Sequence, residues 1–82
     1  KSNAESGAGY SDILIEIPQK RIGIMIEMKY AEQGRFDQAC EAALHQIREK
    51  QYEEKLIEDG MKRVLVYGIA CYRKECEVKM EE

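Results

Sequence analysis

The stretch that decides the fold reads Ile22-Gly23-Ile24-Met25-Ile26-Glu27-Met28-Lys29. Its apolar part predicts a strand, and the lack of polar alternation there predicts that both faces of the strand are covered. Side chains two residues apart on a strand point to the same face, so Glu27 and Lys29 project together while Met28 points away. Because an unpaired buried charge is costly, this end of the strand needs partners for its charged groups.

A second apolar run precedes the first and begins with another carboxylate: Asp12-Ile13-Leu14-Ile15-Glu16-Ile17. Its β-branched isoleucines are typical of a strand. Residues 18–20 are predicted to form a turn, because Pro18 cannot continue a central ladder. If the two runs pair, Asp12 approaches Glu27. Two acids with one lysine make a site for a hard cation, which suits phosphodiester hydrolysis.

The spacing of apolar residues downstream predicts a helical region followed by a hairpin. A stripe at i, i+3 and i+4 spacing indicates a helix that starts at Phe36 or Asp37. A shift of that stripe predicts a break at residues 49–51, after which a second piece runs to Asp59. Gly60 is the expected C-terminal stop. Two further strands are predicted at residues 64–71 and 76–80, joined by a turn around residues 73–75.

These elements predict an α/β (α+β) fold with a mixed sheet, in the order β-β-α-(α)-β-β. Residues 1–11, which are rich in Gly and Ser, are predicted to be a loop. The chain has 82 residues, and we expect a single domain over residues 1–82. Since the chain begins at Lys1 rather than Met, we expect it to be a fragment of a longer protein.

Composition excludes several classes of protein. Hydrophobic residues make up 44% of the chain and charged residues 35%, which fits a globular domain rather than a disordered one. The formal net charge of −3 argues against strong nucleic-acid binding, which needs clustered Lys and Arg. No apolar run approaches the ~20 residues of a membrane span. Cys40, Cys71 and Cys76 lack paired metal spacing, so we predict reduced thiols in a cytoplasmic protein.

The pattern Asp12…Glu27-x-Lys29 resembles the signature of the PD-(D/E)xK nuclease superfamily. Three further segments are similar to one branch of that superfamily: residues 2–12, residues 43–47 followed by Tyr52, and residues 67–71. That branch forms the C-terminal domain of bacterial proteins that carry an AAA-ATPase-like domain upstream. The resemblance covers nearly the whole chain.

The resemblance implies a restriction-endonuclease-like core, truncated by loss of the family's leading helix and first strand. It implies that Asp12, Glu27 and the Met28 carbonyl hold Mg²⁺ or Mn²⁺. Lys29 would position or activate the attacking water and stabilise charge on the phosphate. Gln46 would act as an auxiliary residue. The implied activity is metal-dependent hydrolysis of DNA phosphodiester bonds, beside an upstream ATPase domain.

Each of these assignments has a plain structural alternative. Asp12 would serve as a turn acid, Lys29 as a counter-ion of Glu27, and Gln46 as a boundary residue of an amphipathic helix. The alternative function is a catalytically silent nuclease-fold module that docks nucleic acid or oligomerises beside an ATPase. Tyr10 and Ala4 favour it, because they stand where the branch usually has arginines.

The missing leading helix carries a prediction of its own. A core without that helix exposes one sheet face and one sheet edge. Exposed apolar strands of this kind favour pairing between copies of a chain. We therefore expect a homo-oligomer.

Overall fold

The computed structural model describes residues 2–4, 11–50 and 52–82, and for residues 2–4, 11, 12 and 52 it describes the backbone alone. Five strands and two α-helices make up the described part of the chain. They are β1 (Ser2–Ala4), β2 (Ser11–Ile17), β3 (Ile22–Tyr30), α1 (Phe36–Glu49), α2 (Tyr52–Glu58), β4 (Arg63–Tyr72) and β5 (Glu75–Glu81). A single 3₁₀ turn, Glu32–Gly34, joins β3 to α1.

The strands form one mixed sheet in the order β1-β2-β3-β4-β5. Strands β3 and β4 are parallel, and the other neighbouring pairs are antiparallel. A parallel pair needs a crossover, which α1 and α2 supply. The α+β class and the order from β2 to β5 are confirmed, and the architecture is consistent with a restriction-endonuclease-like core.

The predicted loop over residues 1–11 is wrong at both of its ends. Ser2–Ala4 forms β1, which pairs with the outer edge of β2, and β2 already begins at Ser11. A three-residue strand carries too little periodicity to be recognised in sequence, because backbone pairing alone defines it. Residues 5–10 of the predicted loop lie outside the described residues.

The helical predictions are confirmed. Helix α1 begins at Phe36, and the break falls between Glu49 and Tyr52. Gly60 follows α2 with a φ of +97°, the left-handed conformation that favours glycine at a helix C-terminus. None of the described helices is long and apolar enough to cross a bilayer.

The helices cover one face of the sheet only. Side chains of β3 and β4 on that face are buried against α1 and α2, and the largest cluster joins Met25, Leu44, Ile47, Leu56, Met61 and Val66. The prediction that both faces of β3 are covered is wrong for the part of the chain that the structure describes. The opposite face, here called the open face, carries the half-buried or exposed side chains of Ile13, Ile15, Ile24, Ile26, Leu65, Tyr67, Ile69, Val78 and Met80.

Surface ion pairs link β5 to α1. Lys79 Nζ lies 2.7 Å from Asp37 Oδ1 and 2.8 Å from Glu41 Oε2. These hydrogen bonds raise the pKa of Lys79 above its ordinary value. Arg48 pairs with Glu81 in the same way. Exposed pairs contribute little to stability, so the position of α1 rests on the buried contacts beneath it.

Gly68 permits the close approach of α1 to the centre of the sheet. A Cβ added at this position would lie 2.6 Å from the Cys40 backbone oxygen and 3.0 Å from Leu44 Cγ. Because a backbone atom cannot yield as a side chain does, Gly68→Ala is expected to lower the free energy of unfolding by about 1–3 kcal/mol. Urea denaturation measures the change.

Gly23→Ala is the matched control for that prediction. Its added Cβ would meet the terminal carbons of Leu56, the nearest at 2.9 Å, and a leucine end can rotate away. The loss at Gly23 should therefore be clearly smaller than the loss at Gly68. Equal losses at the two glycines would contradict the steric explanation.

Candidate active site

The register of β2 against β3 sets Asp12 directly opposite Glu27. Asp12 and Glu27 belong to a row of register partners that crosses the sheet. In this row, here called the acidic row, Asn3 on β1 lies opposite Asp12, and Gly68 on β4 lies beside Glu27. Directly opposed Cα atoms in an antiparallel pair lie about 4.5–5.5 Å apart. The two backbones thus bring the predicted acids to one place on the sheet. The Asp12 side chain lies outside the described residues, so a shared cation stays a prediction.

Glu27 is the charged residue buried most completely in the described chain, with 0% of its surface exposed. Its neighbours on the same face of β3 are Met25 and Lys29, so the carboxylate lies beneath α1. Lys50 Nζ lies 3.6 Å from Glu27 Oε1, and 22% of the Lys50 side chain is exposed. This separation is longer than the 2.7–2.9 Å of a tight charge-assisted hydrogen bond. The contact is therefore an ion pair across a partly open boundary.

Lys50 is a site residue that the sequence interpretation missed. Arg48, two residues earlier, is exposed and pairs with Glu81 instead. Lys50 directly follows the last residue of α1. Because α1 runs back over β3, the C-terminal end of α1 lies close to Glu27. The available signal was helical spacing, since Ala42, Gln46 and Lys50 follow one another at i, i+4 and share one side of the helix.

Lys29, two residues after the buried Glu27, lies at the edge of an open cavity. Its side chain is half-buried and lines a space of about 260 Å³ between the end of β3 and the start of α1. The other lining residues are Tyr30, Glu32, Arg35, Gln38, Ala39 and Ala42. Ala39 and Ala42 have small side chains, so this space stays open where larger side chains would fill it. Glu27 and Lys29 are therefore both on the helix-covered side, as strand alternation predicts.

The remaining predicted residues occupy different positions. Gln46 is half-buried, one helical turn before Lys50. Met28 lies on the open face, and its backbone pairs with Ser11 and Ile69, so it can reach the acidic row only through main-chain atoms. His45 is exposed and pairs with Glu49 at 2.8 Å. The lone histidine is thus a surface residue.

The family model of the PD-(D/E)XK nuclease superfamily matches residues 1–81. The chain belongs to the PD-(D/E)XK nuclease superfamily. Comparison with curated proteins and with solved structures gave no match. The matched range includes Asp12, Glu27 and Lys29. Nucleases of this superfamily generally use divalent metal ions.

Asp12, Glu27 and the Met28 carbonyl supply oxygen donors, the type that Mg²⁺ and Mn²⁺ prefer. No group of three His, Cys, Asp or Glu side chains comes together among the described residues. Mg²⁺ does not need one, because it is commonly held by one or two carboxylates and keeps several of its waters. Asp12 and Glu27 are oxygen donors set opposite each other, and the Met28 carbonyl adjoins them in sequence. The donor set suits a hard cation rather than a thiophilic one.

Proposed function

We propose that this domain hydrolyses phosphodiester bonds of DNA with the help of Mg²⁺ or Mn²⁺. The observation that carries the proposal is the register that sets Asp12 opposite the buried Glu27, with Lys29 two residues further on at the mouth of a cavity. The same three residues form the superfamily signature. The proposal extends to the ATPase-associated branch of the superfamily and to an upstream ATPase domain.

The residues of the site would have three separate roles: cation binding, stabilisation of charge on the phosphate, and orientation of water. Asp12, Glu27 and the Met28 carbonyl would hold the cation. When bound, a divalent cation lowers the pKa of its water and neutralises charge on the phosphate. Lys29 would donate hydrogen bonds to the attacking water and to a phosphate oxygen, which stabilises the charge that develops there. Gln46, on the helix above, would orient water at the rim of the site.

The cavity beside Lys29 suits the phosphate backbone that flanks the scissile bond. Lys29 and Arg35 are its cations, and Gln38 adds an amide donor. A guanidinium can bind two phosphate oxygens at once. Glu32 is the acidic group of the lining, so the cavity as a whole is basic although the chain is acidic. Binding that rests on so few cations should be weak and should fall as salt rises.

A catalytically silent module is the second candidate, and one contact favours it. The Lys50 ammonium lies at 3.6 Å from the same carboxylate that a cation would need. A lysine in that place can neutralise Glu27 without any metal. The domain would then serve nucleic-acid docking or oligomerisation beside an ATPase. Metal binding therefore separates the two functions.

The decisive experiment combines metal titration with a Lys50 variant. Lys50→Met should lower the free energy of unfolding of metal-free protein by up to about 3–5 kcal/mol, because a buried carboxylate loses a partner. If Glu27 binds a cation, saturating Mg²⁺ or Mn²⁺ should recover more stability in Lys50→Met than in the wild type. Thermal unfolding with and without metal measures both effects, and calorimetry gives the affinities.

Two controls make the result specific. Arg48→Met removes an exposed pair on the same helix and should change neither stability nor its metal dependence appreciably. Glu27→Gln removes the ligand and should abolish the metal effect. If metal stabilises neither the wild type nor Lys50→Met, the nuclease proposal fails and the silent module stands.

A further inference from the structure

Two of the three cysteines face each other across the β4–β5 hairpin. Cys71 and Cys76 are direct register partners, and their Sγ atoms lie 2.7 Å apart. The turn between the strands consists of Arg73 and Lys74, and the pair Tyr72 and Glu75 closes it. The cysteines are thus the second pair from the turn. This placement is independent of the nuclease proposal.

The backbone at this pair is already suited to a covalent bridge. Directly opposed residues of antiparallel strands have Cα atoms about 4.5–5.5 Å apart. A disulfide accepts Cα separations of about 4.4–6.8 Å. Closure therefore requires no change of register and no movement of the strands. Both sulfur atoms lie on the side of the sheet opposite the helices, at the turn end of the hairpin and outside the apolar residues that define the open face.

The two thiols differ in access. Cys76 is exposed, whereas Cys71 is half-buried. The hydrogen bond between the sulfurs, together with burial, raises the pKa of Cys71 to about 11, so Cys71 keeps its proton at neutral pH. An incoming reagent therefore meets Cys76 first. Cys40 is buried and donates to the Glu77 carbonyl oxygen at 3.4 Å, which makes it an internal reference thiol.

We propose that Cys71 and Cys76 form a reversible dithiol–disulfide modification site for low-molecular-weight disulfides of the glutathione class. The Cys76 thiolate attacks one sulfur of the small disulfide, forms a mixed disulfide and releases one small thiolate. Cys71 then loses its proton to solvent and attacks the Cys76 sulfur, and the second small thiolate leaves. The protein pair gives up two electrons, which reduce the small disulfide to two thiols. Excess small thiol reverses both steps.

The sequence provides a direct test. Arg73 and Lys74 lie between the cysteines, so trypsin separates residues 64–73 from residues 75–79. The intact chain is equilibrated with oxidised glutathione, its remaining thiols are alkylated, and the digest is analysed by mass spectrometry without reduction. We expect the two peptides to remain joined and Cys40 to be alkylated. Because closure is intramolecular, the bridge should exceed mixed disulfides by at least about tenfold.

Single-thiol variants complete the experiment. Cys71→Ser should accumulate a glutathione adduct on Cys76, because the second step is blocked, while Cys40→Ser should close the bridge as the wild type does. Adding excess reduced glutathione should restore both thiols. If the wild type instead accumulates glutathione adducts on separate peptides, joins two chains, or stays fully reduced, the proposal is overturned.

Discussion

Lys29→Met is expected to abolish DNA cleavage while the fold and cation binding persist. The side chain lies at the rim of the cavity rather than in the core, and methionine keeps its length. An ammonium group that stabilises developing charge is worth about 10²–10³ in rate when it is removed. The rate of cleavage of a short DNA duplex and of the matching single strand, each with Mn²⁺ or Mg²⁺ in excess over protein, measures the loss. Circular dichroism and metal calorimetry should be unchanged.

Lys62→Met is the matched control, because Lys62 is exposed and lies outside the residues that line the cavity. It changes the net charge by the same amount, so a general weakening of DNA binding would affect both variants alike. Arg35→Gln should reduce the affinity for DNA and its salt dependence while the rate at saturating DNA changes little. Cleavage that survives unaltered in Lys29→Met would show that Lys29 has no catalytic role.

Local patterns predicted most of the fold because the signals were strong. The alternation of β5, the apolar runs of β2, β3 and β4, and the stripe of α1 each correspond to a described element. Gly60 marked a helix end because a positive φ is needed there. Strand β1 was not predicted, because pairing with β2, rather than its own composition, makes it a strand. The limit was thus set by nonlocal backbone pairing.

The candidate site, like the fold, was only partly predictable from local patterns. Strand alternation and pairing predicted the approach of Asp12 to Glu27, since a strand period of two leaves little freedom once the register is set. Lys50 could not be recognised by charge alone, because many lysines of this chain lie on the surface. Its contact depends on the return of α1 over β3, which the sequence does not specify at the level of a single residue.

The open face leads to the second large prediction, self-association. Four strands spaced about 4.8 Å apart, each presenting roughly 15–20 Å of apolar length, give a footprint of about 300–400 Å². Apolar area removed from water contributes ~25 cal/mol per Å², so two copies gain several kcal/mol even after the cost of association. Among the side chains that the structure describes, none at the centre of this face is charged, so none there would oppose a second copy. Val78 and Met80 remain 55% and 51% exposed in the single chain.

Face packing is favoured over edge pairing. The outer strand β5 alternates its apolar side chains with Glu75, Glu77, Lys79 and Glu81. Charges along an edge strand oppose pairing with a further strand. An isologous dimer that stacks two open faces buries the isoleucines of both copies and leaves those charges in water. We therefore propose a homodimer through the open face, with the β5 edges of both sheets uninvolved.

Sedimentation equilibrium at micromolar concentration should return a mass near twice 9.5 kDa. Ile24→Lys places a charge at the centre of the open face, and because this side chain lies outside the buried core, the variant should remain folded and sediment as a monomer. Ile57→Lys is the control: Ile57 is 62% exposed on α2, away from that face, and the variant should dimerise normally. A wild-type chain that sediments as a monomer over this range would show that a second copy does not cover the isoleucines. Dimers that persist in Ile24→Lys would place the contact elsewhere on the molecule.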